Sequence, residues 1–206
     1  MQTNQTGAEE TAVIKKRYNR TSVFFDVMTR VGSQETHKRA FSLVSGNILE
    51  VGVGTGANFP YYPAGSTVTA IDFSPGMLDR AREKVSQASV PVTLLEMDVE
   101  HMAFSDATFD CVIATCVFCS VPNPVAGLKE IRRVCKPNGK IVLLEHMRSE
   151  NPVIGWLMDR FNFVSLYLVG ANINRRTMDN IKAAGLQIES VENLFFDILK
   201  LIVARP

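Results

Sequence analysis

Short apolar segments alternate with helix-like segments through most of this 206-residue chain. We expect strands at residues 47–53, 67–72, 91–96, 109–115, 139–145, 186–191 and 197–204. Parallel strands need long crossover connections, which the helical segments between them provide. Only residues 192–196 separate the last two strands, which favours an antiparallel hairpin. The pattern therefore predicts an α/β fold with a doubly wound, seven-stranded, mainly parallel sheet and an antiparallel last strand.

The connecting segments carry ordinary helix signals. We expect helices at residues 20–30, 35–45, 74–86, 122–135, 152–169 and 177–184. Ser74 suits a helix N-cap and Pro75 suits the first turn after it. Pro137-Asn-Gly139 should end the fourth helix and precede the fifth strand.

Composition fits one compact domain over residues 15–206, after a polar tail at 1–14. Hydrophobic residues make up 46% of the chain, enough for a sizeable core. The 22 basic and 21 acidic residues leave a net charge of +1, which gives no general reason to expect nucleic-acid binding. The first ten residues lack the apolar core of a signal peptide, and the charge-free stretch 161–174 is shorter than the roughly 18 residues of a membrane-spanning helix. We therefore expect a cytoplasmic protein without a transmembrane segment, with reduced cysteines.

A glycine turn follows the first strand. Gly52, Gly54 and Gly56 allow the sharp turn and the close ligand approach that a Cβ would obstruct. Asp72 lies 20 positions after Gly52 (72 − 52), the spacing that brings a carboxylate to ribose hydroxyls. These features predict a ligand that contains adenosine. Glu50 disfavours a pyrophosphate and suits a ligand with an ammonium and a sulfonium, although a nicotinamide cofactor, and hence an NAD-dependent oxidoreductase, stays open as the alternative.

Further segments carry a family resemblance. They are Ile48–Gly56, Ala70–Met77, Met97-Asp98, Phe109–Val112 and Leu128–Gly139. As a set they resemble the successive motifs of class I S-adenosylmethionine (SAM)-dependent methyltransferases, in the methyltransferase type 11 group. The resemblance implies a Rossmann-like fold, SAM as cofactor and S-adenosylhomocysteine as product. A non-catalytic SAM-binding module is the third alternative.

The resemblance also implies which residues bind SAM. They are Glu50, Gly52, Gly54, Gly56, Asn58, Asp72, Phe73, Met77, Asp98, Val99 and Thr115. The glycines would line the methionine end and Asp72 would hold the ribose. Phe73 and Met77 would border the adenine, and Asp98 would meet its amino group.

A closer likeness concerns the acceptor. Gly54–Phe59, Ala114–Val121, Glu145-His146 and Gly170–Thr177 resemble segments of the methyltransferase-like 7 thiol methyltransferases and of soluble bacterial phosphatidylethanolamine N-methyltransferases. Arg17–Asp26 resembles the start of the latter and of quinone C-methyltransferases, but it departs at Asn19 and Phe25. The resemblance implies a small-molecule or lipid acceptor. A phosphatidylethanolamine-type amine is favoured, followed by a thiol and then a quinone-like carbon.

Three residues are candidates for catalysis. His146 follows the fifth strand and could take a proton near pH 7, or it could bond to a neighbouring loop. Tyr18 could close over the cofactor, with surface packing as the alternative. Asn172 could contact the acceptor, or it could build the turn before the helix at Thr177.

Metal chemistry is not expected. Cys116 and Cys119 would need two more ligands for zinc, and His37 and His101 are isolated in the sequence. Buried or pocket-lining thiols are the favoured interpretation.

The insert at residues 152–175 is rich in apolar and aromatic side chains. It could be core, or it could be a lid on the acceptor side. Together with the basic segment Lys15–Arg39, within the N-terminal helices at 15–45, it indicates peripheral contact with a membrane surface. A solvated helix face is the alternative for those charges.

Overall fold

The computed structural model describes residues 34–168 and 171–206. Its sheet contains β1 (Asn47–Val51), β2 (Thr67–Asp72), β3 (Val92–Glu96), β4 (Phe109–Thr115), β5 (Cys135–His146), β6 (Gln187–Phe195) and β7 (Leu199–Arg205). The strand order is β3-β2-β1-β4-β5-β7-β6. Strands β1 to β5 pair in parallel, and β7 is antiparallel to both β5 and β6. The predicted fold class is confirmed.

The helices are α1 (Gln34–Phe41), α2 (Pro75–Lys84), α3 (Pro124–Val134), α4 (Pro152–Leu168) and α5 (Thr177–Ala183). The Ser74 side chain accepts a hydrogen bond from the Met77 amide, as expected of an N-cap. The helix expected at residues 20–30 lies outside the described residues, as do the tail and most of the basic segment. Within the described residues, no helix is long and apolar enough to cross a membrane.

The core forms on both faces of the sheet because successive strand side chains point to opposite faces. Ile48 packs with Phe41 of α1 and Leu78 of α2, whereas Leu49 packs with Leu128 of α3 on the other face. Because β1 to β5 run parallel to one another, their carboxyl ends lie together at one edge of the sheet.

Three boundaries differ from the sequence prediction by four residues or more. Helix α1 ends at Phe41, and turns from there to Gly46, whose φ is +81°, lead into β1. Strand β5 starts at Cys135 because its first residues pair with β4 through a bulge. A Cβ on Gly139 would lie 2.8 Å from the Asp110 carbonyl oxygen, so glycine admits this close approach. Residues 192–195 of the expected connection belong to β6, and the turn before β7 begins at Phe196, which has a φ of +47°.

Candidate functional site

A cavity of about 260 Å³ opens at the carboxyl edge of the sheet. Its wall contains most of the residues predicted to bind the cofactor, namely Gly52, Gly54, Asn58, Asp72, Phe73, Met77, Asp98, Val99 and Thr115. They come from the loop after β1, the end of β2 and the start of α2, the segment after β3 and the end of β4. The topology therefore brings together side chains that are far apart in the sequence, and their contact with the cofactor stays a prediction.

The glycine turn forms the centre of the cavity wall. Gly52 and Val53 donate their amides to the Ile71 carbonyl at 2.8 and 3.0 Å, which ties the turn to β2. Gly52 and Gly54 have φ values of +69° and +56°, a region that favours glycine. No atom lies within 4 Å of the place where a Cβ on Gly54 would be. A ligand can therefore approach the backbone at this point.

Gly56 packs closely inside the glycine loop. It is not among the described residues that line the cavity. A Cβ at Gly56 would collide with the ring of Phe59, and its φ is +79°. Both features require glycine here, and the contact of Gly56 with SAM stays a prediction.

Asp72 presents a carboxylate at the end of β2. Its Oδ2 accepts the Gly54 amide and its Oδ1 accepts the Ser74 amide, both at 2.9 Å. Burial raises the pKa of Asp72 to about 6, and the backbone amides partly oppose that rise. Asp98 lies further along the wall, where its Oδ1 accepts the Glu100 amide at 2.9 Å. The two carboxylates suit a ribose and an adenine at one end of the cavity.

Glu50 lies behind the cavity wall and bonds to a residue that lines it. Its side chain is fully buried, and it is not among the described residues that line the cavity. One carboxylate oxygen accepts from Asn58 Nδ2 at 2.6 Å, and the other accepts from the Tyr62 hydroxyl. Burial raises the pKa of Glu50 to about 7. The oxygens of Glu50 thus face Asn58 and Tyr62 in this structure, and its contact with the cationic ligand stays a prediction.

The loop after β4 forms the opposite wall. Val117 and Phe118 donate their amides to Oε1 of Glu145, at 2.8 and 3.2 Å. Glu145 is fully buried, which raises its pKa to about 7, and its Oε2 has no hydrogen-bond partner among the described residues. The sequence analysis did not predict that Glu145 holds this loop. The one indication in the sequence was a charged residue at the end of an apolar strand.

The catalytic candidates lie outside the cavity wall or outside the described residues. His146 is half-buried, burial lowers its pKa, and it is not among the described lining residues. Asn172 donates Nδ2 and its amide to the Cys119 carbonyl at 3.2 and 2.9 Å, and its Oδ1 accepts from Asn162. These bonds favour the turn-building alternative for Asn172. Tyr18 lies outside the described residues.

His37 is a titratable residue of the cavity wall that sequence reasoning did not select as a site residue. It projects from α1 into the cavity wall, where its Nδ1 lies 2.7 Å from Asn58 Oδ1. Nothing in the local sequence distinguishes it, because the contact spans 21 positions along the chain.

Among the described residues, no group of three or more His, Cys, Asp or Glu side chains could hold a metal ion, and this includes the cysteines. The Cys119 thiol donates to the Cys116 carbonyl at 3.3 Å. Burial raises the pKa of Cys119 to about 12, so this side chain stays a neutral thiol.

The fold and the glycine turn define a doubly wound nucleotide-binding α/β protein. A family model described as a methyltransferase domain matches residues 49–143. A phosphatidylethanolamine N-methyltransferase from Cereibacter sphaeroides is 37% identical over 150 residues, which cover 70% of this chain and 73% of that protein. The human thiol S-methyltransferase TMT1A is 31% identical over 145 residues, which cover 67% of this chain and 59% of that enzyme. The chain thus spans less than two thirds of the human enzyme's length.

A Thermotoga maritima structure described as a SAM-dependent methyltransferase, possibly a histamine N-methyltransferase, superposes with a TM-score of 0.69. It covers 92% of this chain and 98% of its own chain at 20% identity, which shows the shared fold. The chain belongs to the class I SAM-dependent methyltransferases. It is an enzyme whose cofactor is SAM, and the nicotinamide alternative is set aside.

Gly54→Ala tests the space at the glycine turn. Gly65→Ala is a matched control, because Gly65 also has a positive φ (+79°) and no atom within 4 Å of its Cβ position. Both changes should destabilise the fold by a similar amount, about 1–2 kcal/mol. Only Gly54→Ala should weaken SAM binding, by about tenfold or more, because its methyl group occupies ligand space. Calorimetric titration and thermal unfolding measure the two effects, and equal SAM affinity in both variants would contradict the assignment.

SAM affinity should depend on Asp72 ionisation. Since the pKa of Asp72 is raised to about 6, a growing fraction of the enzyme molecules has a protonated Asp72 as the pH falls through 6. The protonated carboxyl is a weaker acceptor for ribose hydroxyls and no longer attracts a cationic ligand. Affinity at pH 5 should therefore be about tenfold lower than at pH 7. Asp72→Asn should bind weakly at both pH values, whereas the exposed Asp79→Asn should keep the wild-type pH dependence.

Proposed function

We propose that this methyltransferase transfers the methyl group of SAM to a lipophilic acceptor, with a phosphatidylethanolamine-type amine favoured. The observation that carries the proposal is the orientation of α4, which turns large apolar side chains outward beside the cofactor cavity. The enzyme class is established above, and the acceptor is the proposal.

The outward side of α4 is mostly apolar, with Arg160 as the charged residue on it. The exposed residues on this side, which we name the α4 apolar face, are Val153, Trp156, Leu157, Phe163, Val164 and Tyr167. Trp156, Phe163 and Tyr167 are 61%, 60% and 77% exposed. Their spacing places them on one helix face. A surface helix normally exposes its polar side to water, whereas α4 exposes a mostly apolar side.

The inward side of α4 packs against the rest of the protein. Gly155 and Met158 are buried there, and the Ser149 amide donates to Met158 Sδ at 3.3 Å. Asn162 accepts the Ile173 amide, and Ser165 donates to the Ala171 carbonyl. These bonds hold the helix against the protein. The inward side of the helix is thus held by these bonds, which leaves the α4 apolar face exposed.

The α4 helix is connected to the cavity wall. Asn162 donates to Asn172, which donates to the Cys119 carbonyl in the loop after β4. The same loop contributes Val117 and Val121 to the cavity. The inward side of α4 is therefore linked to a loop that lines the cavity, and the α4 apolar face lies on the other side of the same helix.

A second exposed apolar site adjoins the start of α4. Phe195 and Phe196 are 60% and 73% exposed at the β6–β7 turn. Asp197 next to them accepts hydrogen bonds from the Ser149 hydroxyl and the Glu150 amide. Exposed aromatic side chains of this kind suit the interface of a phospholipid bilayer. We therefore propose that this side of the enzyme makes peripheral contact with a membrane surface.

The relatives support two acceptor classes. The Cereibacter sphaeroides relative acts on phosphatidylethanolamine and aligns over most of its own length, which supports the phospholipid amine. A thiol is the second candidate because the human thiol S-methyltransferase is also similar over 67% of this chain. An apolar thiol would suit the same cavity, and a quinone-like carbon acceptor ranks third.

Transfer of a labelled methyl group from SAM distinguishes the acceptors. Phosphatidylethanolamine vesicles and a small aromatic thiol are supplied separately. We expect label in the lipid extract. Label only in the thiol product would contradict the phospholipid proposal and would favour the thiol alternative. No label in either product would contradict both.

Trp156→Ser with Phe163→Ser tests the α4 apolar face. Both side chains are more than half exposed, so the thermal unfolding temperature should stay near wild type. Sedimentation with phosphatidylethanolamine vesicles and methylation of those vesicles should both fall by about tenfold or more. Dispersed dihexanoyl phosphatidylethanolamine should still be methylated at close to the wild-type rate. The control is Val85→Ser, an exposed site after α2. Vesicle binding equal to that of the control would contradict the membrane contact.

A further inference from the structure

His37 enters the cavity on the side away from the adenosine-binding carboxylates. Its helix, α1, packs against β5, and the cavity wall near it includes Leu144 of β5 and Leu199 of β7. Asp72 ends β2 and Asp98 follows β3, and both strands lie on the other side of β1 in the sheet. With the adenosine end placed at β2 and β3, the acceptor must approach over β4, β5 and β7. His37 therefore lies in the acceptor half of the cavity.

The hydrogen bonds of Asn58 fix the tautomer of His37. Asn58 Nδ2 donates to Glu50 Oε1 at 2.6 Å and to Thr115 Oγ1 at 3.0 Å. The remaining polar atom of the amide, Oδ1, is an acceptor and faces His37 Nδ1 at 2.7 Å. His37 Nδ1 must then carry the hydrogen, so in the neutral ring Nε2 holds a free electron pair. No described residue forms a hydrogen bond with Nε2.

We propose that His37 Nε2 takes the proton of the methyl acceptor. Amines and thiols each arrive with a proton that they must lose on methylation. The electron pair of the acceptor nitrogen or sulfur forms the new bond to the methyl carbon, and the carbon–sulfonium bond breaks with its electron pair left on sulfur. The acceptor's proton passes to Nε2 and then to solvent. One proton is released per methyl group, whether the acceptor is an ammonium or a thiol.

The Asn58 contact gives His37 a fixed orientation. A base must lie within hydrogen-bond reach of the proton that it removes, and a ring held at Nδ1 keeps Nε2 in one place. Asn58 is itself held by buried Glu50 and by Thr115 at the end of β4. This chain of bonds connects the proposed base to the strand end that borders both ligands. The inference rests on the proposed heteroatom acceptor, and its test includes a measurement that needs no acceptor.

His37→Asn separates the base from the structural contact. The shorter amide can still donate to Asn58 Oδ1, but it has no basic nitrogen. We expect kcat to fall by about a hundredfold or more with the acceptor that the wild-type enzyme methylates, either phosphatidylethanolamine vesicles or an aromatic thiol. The dissociation constant of SAM should change by less than about threefold. His101→Asn, the same change at an exposed histidine, should leave kcat unchanged.

A second variant and a spectroscopic measurement complete the test. Added imidazole should restore part of the turnover of His37→Ala, which a purely structural residue would not allow. Nitrogen-15 spectra of the enzyme with S-adenosylhomocysteine should show His37 protonated at Nδ1 and unprotonated at Nε2. A proton on Nε2 in the neutral ring would overturn the proposal even if no acceptor is found. A loss of SAM affinity as large as the loss of kcat would also overturn it, since His37 would then serve the cofactor.

Discussion

The buried carboxylate of Glu50 is the interaction on which the cavity depends. It extends from β1 and binds Asn58 of the glycine loop and Tyr62 beyond that loop. Asn58 then contacts Thr115 of β4 and His37 of α1. The strands β1 and β4, the helix α1 and the segment from Asn58 to Tyr62 therefore meet around Glu50 and Asn58. Burying a carboxylate is costly, and the cost is offset only while each partner stays in place.

Glu145 acts in the same way on the other wall. It extends from the end of β5 and holds the amides of Val117 and Phe118 in the loop after β4. Each wall of the cavity is thus a loop held by a carboxylate from a central strand. Loops are ordinarily the most mobile parts of a fold, and this arrangement gives them the fixed geometry that methyl transfer needs. Alignment matters most in such a reaction because the donor is already activated.

The α4 helix extends this arrangement toward the acceptor. On its inward side, Asn162 bonds to Asn172, and Asn172 bonds to the loop that Glu145 holds. The outer face is left apolar and exposed. Under the proposed function, the acceptor would meet the enzyme through these exposed aromatic side chains, whereas buried carboxylates hold the cavity walls.

The sequence by itself determined the fold class, the glycine turn and the carboxylate at Asp72. Each of these depends on local spacing, since strand length, turn chemistry and the interval from Gly52 to Asp72 are written in consecutive residues. The end of α1, the start of β5 and the extent of β6 were not predictable in this way. Pairing with β4 and β7 decided the last two, and a strand pair can override the local signal of Pro137 or Glu192.

Tertiary structure decided which polar residues serve the site. His146 and His37 are equally isolated in the sequence, yet only His37 lies in the described cavity wall, because α1 packs beside the carboxyl ends of the strands. Glu50 could be located from its spacing, but its burial behind Asn58 could not, since the direction of its side chain depends on neighbouring strands and on Tyr62. Sequence spacing thus determined where the cofactor edge lies, and long-range packing determined which side chains reach it.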